Sequence, residues 1–455
     1  MTTPLDADIS SIADELKVPG IAVGIDHEHV TEIVAHGVVG RSDHDRPVGP
    51  ETLFQIGSTA KTFTAALIMI LVDHGVLRLD HPVHQLLPEL RLGDEEATRT
   101  VTVAHLLNHT AGWDGGDDWT DSGEGSDAVR QAVASFAELP QQFAPGQSAS
   151  YNNAAFVVAG RLIEVLTRRP YEQALAEMIL EPLKLGATHT ALNEIMTRPF
   201  ALGHQATDAG LTVVRPWSDP PGYLPAGARI ACSIEDLLAW ARFQLGDGRT
   251  PDGARLLAEA SLRAMHEPST RQELMPGTQI GYGWLLRTVD GVRLIEHHGD
   301  VSGQHSSVTV IPERECAITV LTNCTPSGRE AAERIVRGIL QSRLGLVDRP
   351  PELLTLGPNE SAAYTGRYRT EGIELEVVAD TGSLIINGTI YDGDAPGETL
   401  AFPVGMLPDD RYLVTGGPFE GLQGEFVRVH GAVVAVKHVG RLVPRAGGAA
   451  DGSGR

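Results

Sequence analysis

Two apolar, β-rich runs, Gly20 to Glu28 and Val30 to Gly37, flank a short polar break and predict a hairpin near the start of the chain. From Thr59 to His74 the pattern turns helical and apolar enough for a buried helix, with Gly75 placed as its C-cap. Between about residues 80 and 265, amphipathic helical stretches (Val101 to Leu107, Tyr151 to Thr167, Tyr171 to Leu180, Ile234 to Leu245) alternate with Gly/Pro/Asp loops, which predicts a mainly helical subdomain. After Gly281 the period becomes two: GYGWLLRTV, a turn at Asp290-Gly291, VRLIEH, SSVTVIP and CAITVLTN read as successive antiparallel strands, followed by a helix from Arg329 to Leu344. Strands at both ends of this region imply one antiparallel sheet flanked by helices, an α/β (α+β) domain over 1–345 with the helical subdomain inserted. Residues 346–360, with Pro350, Pro351 and Pro358, read as a linker. Seven or eight short strands then fill 361–445 at the spacing of a small antiparallel β-barrel, and 446–455 reads as a disordered tail.

Composition narrows the partners. The 455 residues carry 36 Lys+Arg against 59 Asp+Glu, a formal charge of −23, which opposes a nucleic-acid or anionic-membrane partner. The N-terminus has no basic n-region or apolar h-region, and no apolar run is long enough for a membrane span, so a soluble, cytoplasmic protein is expected. Cys232, Cys316 and Cys324 have no CxxC spacing, and His27, His29 and His44 lack metal-ligand spacing; neither disulfides nor a metal are expected. With no P-loop or G-x-G-x-x-G fingerprint, no cofactor is implied.

Only four of the 36 basic residues are lysines, so a motif that requires lysine is informative. Ser58 and Lys61 stand at i and i+3 ahead of the buried helix, where a hydroxyl and an amine share one face. A serine hydroxyl becomes a nucleophile when a neighbour takes its proton, and a buried lysine amine can do so; the helix N-terminus favours the oxyanion that follows. Chance would supply roughly 0.2 S-x-x-K matches in such a chain; the alternative is an N-capping serine beside an incidental lysine. Tyr151-Asn152-Asn153 opens another predicted helix, and a phenol beside a lysine can relay a proton. Glu296-His297-His298-Gly299-Asp300 ends a predicted strand whose edge can pair with an extended substrate, with His297 offering a donor to a carbonyl or carboxylate.

In this order, Ser58-x-x-Lys61, Tyr151-x-Asn153 and His297-x-Gly299 resemble the three motifs of the penicillin-recognising serine enzymes: class C β-lactamases, low-molecular-mass penicillin-binding proteins and their esterase relatives. LLNHTAGW, FAPGQSASYNNAAF, PAGARIACSIEDLLAWA and GYGWLL are similar as well, and the likeness spans about residues 10 to 345. It implies a β-lactamase/transpeptidase-like fold, Ser58 as nucleophile, Lys61 and Tyr151 as the acid/base pair, and Asn153 as a positioner of substrate amide and lysine. It also implies an oxyanion hole from the backbone N–H groups of Ser58 and Asp300, beside Gly299. His297 stands where many relatives have lysine, which disfavours β-lactam hydrolysis; Asp300 replaces a small residue and leaves the pocket shape open.

The two-domain plan is similar to stand-alone penicillin-binding-protein-type thioesterases with a lipocalin-like C-terminal domain, which release and macrocyclise non-ribosomal peptides. The expected substrate is then a peptide or other acyl compound, presented as a thioester on a carrier protein. A D-stereospecific aminopeptidase or esterase is the alternative, and a binder that acylates once without turnover the third reading. Arg441 and Arg445 are candidates for a substrate carboxylate. The acidic loop Asp114 to Asp127 reads as a solvated surface loop rather than a site for a cationic terminus. Pro216 to Pro225, with Trp217 and Tyr223, reads equally as pocket wall or rigid connector.

Overall fold

The computed structural model describes residues 4–40, 46–116, 119–207, 210–370, 372–392, 395–417 and 419–446. His44 and the tail from 447 onward lie outside the described residues. The chain forms two compact units: residues 1–147, 152–271 and 279–348 in one, residues 148–151, 272–278 and 349–455 in the other.

The first unit holds α1 (Pro4–Leu16), β1 (Gly20–His27), β2 (Val30–Gly37), α2 (Ala60–Asp73), α3 (Ala128–Ser135), α4 (Asn153–Thr167), α5 (Ile234–Leu245), β3 (Leu285–Val289), β4 (Val292–Val301), β5 (Gln304–Ile311), β6 (Cys316–Thr322) and α6 (Ser327–Leu344). These six strands pair antiparallel in the order β2-β1-β6-β5-β4-β3, so strands from both ends of the unit share one sheet. The expected architecture of an antiparallel sheet with a helical insertion is the one observed. β1, β5 and β6 are buried along nearly their whole length because both of their faces are covered. Ile21, Val23, Ile318 and Val320 pack with Ile9 of α1 and Ile335 of α6 on one face. Ala22, Val308 and Leu321 face the helical block on the other.

Local chemistry explains where the helices begin and end. α5 runs over the predicted span because the Ser233 hydroxyl accepts the Asp236 amide at 3.2 Å, capping its first turn. α2 ends at Gly75, whose φ of +69° is the left-handed conformation that terminates a helix. The stretch from Tyr171 to Leu180 differs from the expected single helix: α-turns hold through Leu175, then Ala176–Leu180 widens into a π-helix. Pro182 follows; it lacks the N–H that would bond back to Met178, and its ring crowds that carbonyl.

In the second unit, α7 (Pro358–Tyr364) leads into eight strands paired in sequence order: β7 (Gly366–Arg369), β8 (Ile373–Asp380), β9 (Ser383–Asp392), β10 (Ala395–Met406), β11 (Arg411–Val414), β12 (Gln423–Val429), β13 (Ala432–His438) and β14 (Arg441–Pro444). A bridge between Tyr368 and Arg445 and a bond from Ala446 N to Arg367 O (2.8 Å) bring the last strand to the first, giving a nearly closed barrel. Tyr368, Tyr412, Phe402 and Phe426 fill its interior. Arg445 belongs to this closure: its guanidinium donates to the carbonyls of Ala363, Thr365 and Val433 and lies over the Tyr368 ring. Among the described residues no helix is long and apolar enough to cross a membrane, and all three cysteines are buried and unpaired with one another.

Candidate active site

The approach to Ser58 is built from three segments far apart in sequence. A short strand, Phe54–Gln55, pairs with Ala231–Cys232, and Ile56 N donates to Ile230 O at 3.0 Å. A 3₁₀ turn, Gly57–Thr59, then feeds α2. Gly57 adopts φ +49°, and a Cβ there would stand 3.0 Å from Asp300 N. Gly299 is tighter still: its Cβ would fall 2.0 Å from Ile56 O and 2.8 Å from Ser58 N. The backbone amide of Ser58 and the Gly299–Asp300 edge are thereby held close together.

The Ser58 hydroxyl makes no helix cap. It receives a hydrogen bond from Lys61 Nζ at 2.8 Å, and the same ammonium donates to Ala226 O at 2.5 Å. Lys61 has no exposed surface, and Phe156 of α4 lies with its ring centre 5.7 Å from Nζ. A buried amine is tolerated because those acceptors replace part of its lost hydration. Ser58 is partly open while Gly57 and Thr59 are buried, so the turn offers one hydroxyl outward.

The beta-lactamase family profile matches residues 5–341. This chain belongs to that family. It is 32% identical to penicillin-binding protein 4 of Amycolatopsis lactamdurans, over 80% of this chain and 96% of that one. It is 27% identical to the unguisins hydrolase ungD of Aspergillus violaceofuscus, over 90% and 76% respectively. The crystal structure of SurE superposes with a TM-score of 0.72 at 26% identity, covering 97% of this chain and 98% of that one. The beta-lactamase and penicillin-binding-protein-like family is one of serine hydrolases and acyltransferases, and this chain is a member of it.

The remaining sequence-selected residues fall as follows. In this family member, Asn153 opens α4: it is buried and its N–H donates to Gly115 O at 2.8 Å. Its neighbour Asn152 is the helix cap, with Oδ1 accepting Ala155 N and Nδ2 donating to Trp113 O, both at 2.8 Å. Tyr151 lies in the second unit, where the Arg441 guanidinium sits 4.5 Å from its ring centre and donates to its carbonyl at 2.5 Å. Arg441, expected at a substrate carboxylate, is thus engaged by Tyr151.

Asp300 does not crowd the cleft. Strand alternation sends its side chain to the opposite face from Gly299, where it meets His305 Nδ1 at 2.7 Å and Arg329 at 2.8 Å. The acidic loop is exposed along most of 121–127, as a solvated surface loop would be, and is anchored at a few points: Glu124 takes a bidentate pair from Arg229 at 2.7 and 2.8 Å, Ser122 Oγ accepts Gly222 N at 3.1 Å, and Trp119 stacks on Tyr223. Tyr223 is fully buried beneath that stack and supports the loop, whereas Trp217 packs on Phe200 and is fixed by a bond from Nε1 to Ala201 O at 2.8 Å. Ala226 and Ser306 escaped sequence reasoning, since a carbonyl acceptor and a serine inside a buried strand carry no motif.

Burial, with the Lys61 charge adding to it, pushes the His297 imidazole down to about 3. His297 is 1% exposed and its Nδ1 lies 2.8 Å from His298 O. It is therefore a neutral hydrogen-bonding group at working pH. Because its folded value is depressed, the unfolded chain takes up a proton below about 6.5 that the native state refuses, so stability is complete above that pH and lost below it. Relative to His297→Gln, the wild type is expected to lose about 1.4 kcal/mol per pH unit below 6.5. Urea melts of both proteins at pH 7.5, 6 and 5 measure this; a difference that does not change with pH contradicts it.

Proposed function

We propose that the protein is a serine acyl-transfer enzyme that forms an acyl-enzyme on Ser58, and that it acts as a penicillin-binding-protein-type thioesterase, releasing and macrocyclising a peptide. The observation that carries the reading is the buried Lys61 amine at 2.8 Å from Ser58 Oγ. In its neutral form that amine takes the hydroxyl proton as Oγ attacks the thioester carbon, the Ser58 and Asp300 amides receive the oxyanion, and collapse of the adduct breaks the C–S bond, the thiol leaving with the proton that the Lys61/Tyr151 pair returns. Tyr151 is assigned the companion acid/base role that the family resemblance gives it. In the second half-reaction the peptide's own amine attacks the ester on Ser58, loses its proton to the Lys61/Tyr151 pair and frees the hydroxyl. Likeness over nearly the whole chain to SurE, which has also been crystallised with D-Leu, supports a peptide-derived acyl group whose terminal residue is of D configuration.

Hydrolysis is the second reading, favoured by likeness to the unguisins hydrolase over 90% of the chain. Water then replaces the amine at the same acyl-enzyme. A peptidyl thioester mimic, a D-aminoacyl amide and a chromogenic cephalosporin, each incubated with wild type and Ser58→Ala, separate the readings by intact mass and product. A cyclic product from the thioester supports cyclisation; a linear acid or a free D-amino acid supports hydrolysis. No Ser58-dependent adduct or product from any of the three removes the catalytic assignment.

A further inference from the structure

A carboxylate beside an oxyanion hole is an electrostatic liability, since it repels the charge the hole must stabilise. Asp300 occupies that position, and the first unit builds a dedicated cluster behind it. On the sheet face opposite Gly299, Asp300 Oδ1 lies 2.7 Å from His305 Nδ1, its register partner on β5, and Oδ2 accepts Arg329 of α6 at 2.8 Å. Arg329 is also within 3.5 Å of Glu333. Burial keeps Glu333 up at about 7, whereas Arg329 and His305 outweigh burial at Asp300 and hold its carboxyl well below the usual carboxylate range. Asp300 is therefore the standing anionic partner of Arg329, although 40% of its side chain is exposed.

The same strand ties down the nucleophile loop. Gln304 Oε1 accepts Gln55 N at 3.0 Å, and Ser306 Oγ donates to Ile56 O at 2.6 Å and lies 2.7 Å from Thr59 Oγ1. Three consecutive β5 residues thus hold both sides of the oxyanion hole, Gln304 and Ser306 from the Ser58 side and His305 from the Asp300 side.

We propose that Asp300, His305 and Arg329 form a positioning cluster that aims the Asp300 amide at the oxyanion, with Arg329 neutralising the carboxylate beside it. This rests on Ser58 being the nucleophile. The two roles make an ordered set of expectations. Removing Asp300 loosens the amide. Removing Arg329 loosens it and leaves the carboxylate with His305 but without its cationic guanidinium partner, so it does more damage. Removing both discards that charge, and the double variant does no worse than the loss of Asp300 alone.

The test uses the full chain with an activated aryl ester as substrate and phenylboronic acid, whose tetrahedral adduct on serine places an oxygen in the hole. Asp300→Ala is expected to lower kcat and boronate affinity about 10-fold and Arg329→Met about 100-fold, with KM within about threefold and the double variant matching Asp300→Ala. Asp300 is open enough that its alanine variant folds, so the boronate reading stands even where Arg329→Met does not. The proposal is overturned by boronate affinity in Asp300→Ala within twofold of wild type, or by losses that simply add in the double variant. Wild type that binds boronate no better than Ser58→Ala removes the Ser58 reading itself, a result distinct from either.

Discussion

Lys61→Met is expected to lower kcat/KM for any acyl substrate by about 10³- to 10⁴-fold while leaving the melting temperature unchanged or raised. The loss follows from the geometry: Lys61 Nζ touches Ser58 Oγ at 2.8 Å. The unchanged stability follows from the cost of the amine. Lys61 is fully buried on a helix packed by Phe63, Phe156 and Trp240, and it donates to the Ser58 hydroxyl and the Ala226 carbonyl. Methionine fills nearly the same volume without a polar head to desolvate, and exchanging a buried polar or ionic group for an apolar one of similar size is commonly neutral or stabilising. Stopped-flow acylation with an aryl ester, alongside thermal melts, measures both halves. Activity within tenfold of wild type removes Lys61 from the chemistry; a fall in melting temperature of more than about 8 °C shows that the amine is structural.

The parts of this molecule legible in the sequence are those in which local pattern and tertiary context agree. α2 is readable because nearly every position from Ala60 to Leu71 is buried, α5 because Ser233 caps it, and the β1–β2 hairpin because both strands and the break between them are compositionally distinct. Turn spacing alone predicts seven or eight strands in the barrel, and eight are observed. The π-helix at Ala176–Leu180 was hidden, since its cause is a proline two residues beyond its end. The surroundings of Ser58 were hidden for another reason: they are nonlocal and largely main chain. Ala226 O meets Lys61 across 165 positions, and Ser306 Oγ meets Ile56 O across 250. A backbone acceptor leaves no residue type to read. Asp300 misled in the opposite direction, because composition shows a charge near the hole while only strand alternation and Arg329 show where that charge points.

Gly299→Ala is expected to lower kcat by about 10²- to 10³-fold with a stability loss of about 1–3 kcal/mol. A Cβ at Gly299 would fall 2.0 Å from Ile56 O, 2.8 Å from Ser58 N and 2.9 Å from Ser306 Oγ. Two of those three atoms are backbone, so no side-chain rotation relieves the contact; strand β4 and the Ser58 turn must separate. That separation pulls the two proposed oxyanion donors apart, and such a hole is sensitive to displacements well under 1 Å. Gly75→Ala supplies the control. Gly75 also has positive φ, +69°, but nothing lies within 4 Å of a Cβ there, so alanine is expected to cost about 1 kcal/mol of stability through backbone strain and to leave kcat unchanged. Steady-state kinetics and urea melts on the pair separate active-site spacing from helix termination. If Gly299→Ala loses stability but keeps kcat within threefold, the crowding of β4 against Ser58 matters to the fold alone, and the oxyanion hole must be sought elsewhere.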